Sequence, residues 1–115
     1  MQKAHSELAA RLEQELRRGV LILGVLSQLH LPQYGYSLRQ LLAQKGMAIE
    51  EGTLYPLLRR MEEQGLLQSE WKIEDGPPRR YYKRSALGDR VCRDLGESWL
   101  GLVDTIKNLM EADAP

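Results

Sequence analysis

Six consecutive residues, Arg79-Arg80-Tyr81-Tyr82-Lys83-Arg84, concentrate four cations and two aromatic rings. Side chains of this kind suit a polyanionic backbone, because the cations displace condensed counterions and the rings add contact area. A Gly76-Pro77-Pro78 turn stands directly ahead of the block, and the strand-like run Leu66-Leu67-Gln68-Ser69-Glu70-Trp71-Lys72-Ile73 lies upstream. The order predicts a hairpin with a cationic return strand. Taken alone, such a hairpin is as readily an ordinary edge with solvated charges.

Other chemistry is poorly represented. No nucleophile–base set, phosphate loop or metal-ligand cluster is present, so the chain reads as neither enzyme nor metalloprotein, with no cofactor implied. His5 and His30 stand apart from any second ligand at metal spacing. Cys92 is the only cysteine, which excludes an intrachain disulfide and suits a reducing cytoplasm. The longest apolar run, Gly19 to Leu26, is too short to span a bilayer, and the first residues lack the apolar core of a signal peptide. The expected location is cytoplasmic.

With 115 residues the chain is expected to form one small domain. Sixteen basic and sixteen acidic side chains cancel, so net charge says nothing for nucleic acid. Their distribution does. Residues 70–84 carry five Lys/Arg against three Asp/Glu, whereas residues 85–115 carry three against six. A basic edge on the hairpin and a mildly acidic tail follow.

The elements that would position the hairpin read as short helices. Leu8, Leu12 and Leu16 recur every four residues on a first amphipathic helix, with Ser6 as N-cap and Gly19 as its end. Val20 to Leu31 is apolar on most faces and reads as a central buried helix stopped by Pro32. A third helix is expected over Ser37–Lys45, ended by Gly46. A fourth runs over about Thr53–Gln64, ended by Gly65, with Leu54, Leu57, Leu58 and Met61 inward. Thr53 as N-cap would place Pro56 at N3, where its missing N–H costs no intrahelical bond. Ser85 caps a last long helix reaching about Met110, whose seam includes Leu95, Trp99, Leu102, Val103, Ile106 and Leu109.

Short helices followed by a basic ribbon give a mainly α (α+β) fold, a winged helix-turn-helix with a two-stranded β wing. Its second helix of the pair would enter the major groove. That helix presents Thr53, Pro56, Arg59, Arg60 and Glu63 outward, with Tyr55 and Glu62 on the margin. Arg59 or Arg60 has the reach to pair with guanine, and Tyr55 or Thr53 to bond a phosphate or a base. Tyr34-Gly35-Tyr36-Ser37 opens the third helix with free N–H groups and hydroxyls, a phosphate clamp.

These segments carry a resemblance. Tyr34-Gly35-Tyr36-Ser37-Leu38, then Gly52-Thr53-Leu54-Tyr55-Pro56 running on to Gly65-Leu66-Leu67, then Trp71, Gly76-Pro77-Pro78-Arg79-Arg80-Tyr81-Tyr82 and Ser85-x-x-Gly88 resemble the PadR family of bacterial transcriptional regulators. The match spans residues 20 to 88, and the C-terminal region is similar to the subgroup with one dimerising helix. The resemblance implies a homodimeric repressor released from DNA by a small, frequently aromatic compound. It implies that Tyr36, Thr53, Tyr55 and Pro56 face DNA, and that Arg79, Arg80 and Lys83 reach the neighbouring minor groove or its phosphates. Two departures stand out: Glu50-Glu51 where the family commonly has Ser-Pro, and Arg84 where a leucine is usual. The carboxylates repel phosphate. Either the strand stops before Arg84, or the Arg84 stem lies along the core.

More apolar surface remains than one small domain can cover. Leu8, Leu12 and Leu16 with Leu95, Leu102, Val103, Ile106 and Leu109 therefore read as a dimer interface, the first helix of one subunit cradling the last of the other. The division expected is residues 1–18 as an N-terminal dimerisation helix, 19–84 as the winged helix-turn-helix and 85–115 as a C-terminal dimerisation helix. Two reading helices one turn apart would recognise a pseudo-palindrome of double-stranded DNA. In similar family members a tryptophan on the last helix lines a drug pocket, so Trp99 is the candidate effector contact; filling the interface is its plainer role. The competing function is a winged-helix protein-interaction module docking an acidic partner, which zero net charge and Glu50-Glu51 keep open.

Overall fold

The computed structural model describes residues Gln2 to Glu111. Met1 and residues 112–115, the last four of the expected C-terminal region, lie outside them. Four helices and three short strands follow in the order α1 (Gln2–Ser27), β1 (Gln33–Tyr34), α2 (Gly35–Gln44), α3 (Glu51–Glu63), β2 (Leu67–Lys72), β3 (Arg79–Arg84) and α4 (Ala86–Glu111).

The first departure from the sequence reading is α1. Gly19 does not end a helix: the two expected helices are one continuous rod of 26 residues. A glycine inside a helix costs about 1 kcal/mol against alanine but does not stop it. A glycine that ends a helix does so in the left-handed conformation, which among the described residues only Gly46, Gly65 and Gly76 adopt. The rod instead ends at Ser27, five residues ahead of Pro32, where tighter bonds from Gln28 N–H to Val25 O and Leu29 N–H to Leu26 O close the last turn. Residues 3–19 of α1 are exposed throughout.

Gly46 and Gly65 do end α2 and α3. At both, the glycine N–H and the next residue's N–H fold back onto the last turn: Gly46 to Ala43 O with Met47 to Leu42 O, and Gly65 to Glu62 O with Leu66 to Met61 O. The start of α3 differs from expectation. Glu50 is the N-cap, so Pro56 lies inside the helix rather than in its first turn. Pro56 offers no N–H to the Gly52 carbonyl, a loss the helix tolerates because Gly52 is exposed at its open end.

The sheet is antiparallel with order β1-β3-β2, so the cationic strand is central. The two-stranded wing, β2 and β3, is as expected, and β1 extends it into a three-stranded sheet because Gln33 and Tyr34 pair with Tyr82 and Tyr81. In the hairpin Ser69 faces Tyr82 and Trp71 faces Arg80. The core joins Val25, Leu26 and Leu29 of α1's end to Leu38, Leu42, Leu54, Leu57, Leu58 and Met61, with Leu66, Leu67 and Tyr82 closing it from the sheet.

Strand β3 runs through Arg84, whose side chain is only 19% exposed. Its Nε bonds Asp89 at 2.9 Å, and its Nη1 reaches the Leu26 carbonyl at 3.1 Å and Cys92 Sγ at 3.3 Å. A cation at the C-terminal end of α1 also suits that helix's dipole. Of the two alternatives for Arg84, the packed stem is the one realised. Ser85 caps α4 as expected, accepting the Gly88 N–H at 3.0 Å, while its hydroxyl donates to Gly65 O at 2.6 Å.

Candidate nucleic-acid interface

Helix α3 is held at its N-terminal end by α2. Arg39 donates to Ile49 O and to a Glu51 oxygen, both at 3.2 Å. One of the two carboxylates that departed from the family pattern is thereby partnered, which softens its repulsion of a phosphate. The Tyr55 ring rests directly on Gly35: a Cβ there would fall within the ring atoms. A glycine at the start of α2 lets α3 approach this closely, and Tyr55 remains 39% exposed.

The outward face of α3 carries Thr53, Arg59 and Arg60, all exposed, with Pro56 half-buried beside them. Among the described residues neither Arg59 nor Arg60 forms an ion pair. The nearby Glu62 is occupied elsewhere, so these guanidiniums stand open.

At the head of α2 the hydroxyls divide. Tyr36 is exposed and its hydroxyl accepts from Gln40 Nε2 at 2.8 Å. Ser37 is half-buried and turned inward: its Oγ accepts the Tyr34 N–H at 3.2 Å and donates to Gln33 Oε1 at 2.8 Å. It starts the helix rather than projecting from it.

The wing separates its cations by face, as alternation in a strand requires. Arg79 and Lys83 are exposed. Arg79 lies 4.5 Å from the centre of the Tyr34 ring, and Tyr34 meets Tyr81 edge-on at 5.3 Å. Lys72 sits 4.9 Å over the Tyr81 ring. This cation–aromatic ladder orders the basic edge. Tyr34, Tyr81 and Lys72 had no such role in the sequence reading, because the ladder depends on β1, whose two residues are too few to show alternation. Arg80 sits on the opposite face, with Nη2 on Glu62 Oε1 at 2.7 Å and Nε on Ser69 Oγ at 3.0 Å. Next to it, burial pushes the Tyr82 phenol above its ordinary value against the opposing pull of Arg80.

Through Tyr55 on Gly35 and Arg79 over the Tyr34 ring, α3, the start of α2 and the basic wing adjoin one another, brought together from three separate stretches of chain. Residues 22–94 match the model of the transcriptional regulator PadR-like family. The chain belongs to that family. A PadR family transcriptional regulator from Eggerthella lenta has the same fold, with TM-score 0.89 and 46% identity over 95% of this chain and 97% of that one. A PadR-like transcriptional regulator from Bacillus cereus gives TM-score 0.74 and 31% identity over 84% and 96%. A transcriptional regulator of Mycobacterium tuberculosis is 44% identical over 75 residues, 59% of this chain and 70% of that protein.

This PadR-like regulator is accordingly a DNA-binding protein of transcription and not an enzyme. No described helix is long and apolar enough to cross a membrane. Trp99 lies on α4, 43% exposed, together with Leu95, Leu102, Ile106 and Leu109. Leu8, Leu12 and Leu16 are likewise exposed on α1, and Val103 is half-buried.

Proposed function

We propose that this PadR-like regulator is a homodimeric, cytoplasmic repressor that binds a pseudo-palindromic operator and leaves it when a small aromatic compound enters near Trp99. The observation that carries the dimer is the uncovered apolar length of α1 and α4. The chain has a radius of gyration of 17.2 Å, against about 13 Å for a compact chain of its size. Exposed apolar surface on two long helices is what a second copy would cover. Pairing through α4 gives two copies of α3 a common axis, the arrangement a palindrome requires.

Thr53, Tyr55, Arg59 and Arg60 read bases or phosphates from α3, with Pro56 shaping that helix's approach. Tyr36 and the α2 start, which Ser37 holds in place, lie on the same edge, and Arg79 and Lys83 meet phosphates from the wing. Arg59→Ala or Arg60→Ala should relax preference at one operator position, whereas Arg79→Ala or Lys83→Ala should weaken operator and random duplex alike. Titrations on both duplexes at several salt concentrations check this. Binding should fall with salt by a log–log slope of about 0.9 per phosphate neutralised. A flat salt response, or equal affinity for operator and random duplex, would refute the repressor reading and favour an acidic protein as the partner.

Trp99 offers an exposed ring close to Gly96 and Gly101, neither of which has a neighbour within 4 Å of an added Cβ. Two copies across a two-fold axis would leave a slot for a flat ring. Trp99→Ala should abolish saturable binding of planar aromatic compounds, read by calorimetry, while the dimer persists on sizing. A monomer instead would make the tryptophan purely an interface residue.

A further inference from the structure

Arg80 is a cation in the most basic stretch of the chain, yet its guanidinium is turned toward α3. It closes a three-membered ring of bonds: Nη2 to Glu62 Oε1 at 2.7 Å, Nε to Ser69 Oγ at 3.0 Å, and the Ser69 hydroxyl to Glu62 Oε2 at 2.6 Å. Both oxygens of Glu62 are engaged. The guanidinium also lies 5.8 Å from the Trp71 ring centre and 5.5 Å from that of Tyr82. Glu62 belongs to α3, Ser69 to β2 and Arg80 to β3. One cluster thus ties both strands of the hairpin to the last turns of the recognition helix.

We infer that Glu62 is a specificity-determining residue, which withholds Arg80 from phosphate and fixes the wing on the recognition helix. The inference rests on the DNA-binding reading of α3 and the wing. A phosphate contact strengthens binding to every sequence equally and so adds nothing to discrimination. Holding one wing cation in reserve lowers the generic contribution while α3 continues to read bases. The same bonds set the distance between wing and α3, so base contacts and backbone contacts are made in one register. Arg79 and Lys83, on the opposite strand face, remain available for phosphate.

The test uses the full chain carrying Glu62→Met, which removes both acceptor oxygens and keeps an unbranched helix former. A second variant, Arg80→Gln, removes the withheld cation. Each is titrated on the duplex enriched from a randomised pool and on a scrambled duplex of equal composition, at three salt concentrations. Far-UV melting accompanies each titration.

For Glu62→Met, binding to scrambled duplex should tighten roughly three- to tenfold, with a salt slope steeper by about 0.9 per protomer. The ratio of selected to scrambled affinity should fall roughly tenfold, the scale of one base-level mismatch. Arg80→Gln should leave scrambled-duplex affinity unchanged and lower the ratio by a similar factor. An Arg80→Gln variant that loses scrambled-duplex affinity as Arg79→Gln does would make Arg80 an ordinary phosphate contact and overturn the inference. So would Glu62→Met that leaves slope and ratio as in the parent. If the parent enriches no sequence and binds no duplex, the DNA reading of this edge fails first.

Discussion

Leu102→Glu combined with Ile106→Glu should yield a well-folded monomer that no longer distinguishes its operator from random duplex. The two positions lie four residues apart on α4, hence on one stripe, and are 58% and 51% exposed in the single chain. Exposed substitutions of this kind change a chain's own stability by only about 0.5 kcal/mol. Across a two-fold axis the same change would bury four carboxylates, while removing Leu and Ile contacts worth about 1.5–3 kcal/mol per buried side chain. A dimer paired through α4 could not bear that. Operator affinity in proteins of this class lies near 10⁻⁸ to 10⁻¹¹ M and non-specific affinity near 10⁻⁴ to 10⁻⁶ M, so losing the paired contact should cost roughly a thousandfold or more. Sedimentation should give a mass near 13.2 kDa for the variant and about twice that for the parent. A parent already monomeric at micromolar concentration, or a variant still dimeric, would remove α4 as the interface.

Gly88→Ala should be the most damaging single methyl that can be added to the chain. Gly88 is buried on α4, and a Cβ there would collide with the Leu66 carbonyl oxygen, a backbone atom that cannot turn aside. The same carbonyl accepts the Ser85 N–H at 3.0 Å, and the adjacent Gly65 carbonyl accepts the Ser85 hydroxyl. Relieving the collision means lifting α4 off the turn between α3 and β2. Overpacking of this kind costs about 1–3 kcal/mol, and each strained hydrogen bond about 1 kcal/mol more. Thermal unfolding should fall by roughly 10–20 °C. Gly19→Ala is the control: nothing lies within 4 Å of its added methyl, so it should stabilise α1 by up to about 1 kcal/mol. Equal melting temperatures for the two variants would show that α4 does not dock through this contact.

Much of this architecture was legible in residue order. Leucine spacing located α2, α3 and α4, and Gly46 and Gly65 marked two helix ends because only a left-handed residue completes those turns. What the residues could not show follows a common pattern. Gly19 resembles a stop in composition, but its conformation is decided by neighbours, and α1 passes through it. Thr53 is the better N-cap by side chain, yet Arg39 reaches Ile49 O and Glu51 from another helix and the helix begins earlier. Strand β1 exists only because β3 offers it a partner. At the interface, Arg59, Arg60, Arg79 and Lys83 are exposed as residue type suggests. Arg80 has the same charge and the same neighbourhood in sequence. Its direction depends on Glu62, eighteen positions away, and no local pattern encodes that pairing.

Only Ser85 separates the last residue of β3 from the first of α4. Strand and helix therefore cannot turn independently: the backbone N–H of Arg84 is bonded to Leu29 O, and that of Ser85 to Leu66 O. Such a joint behaves as a lever with a very short fulcrum. In a dimer paired through the long arms, as proposed, a tilt of a few degrees in one arm would pass to its hairpin, and a change in how the two arms lie together would reset the span between the proposed reading edges.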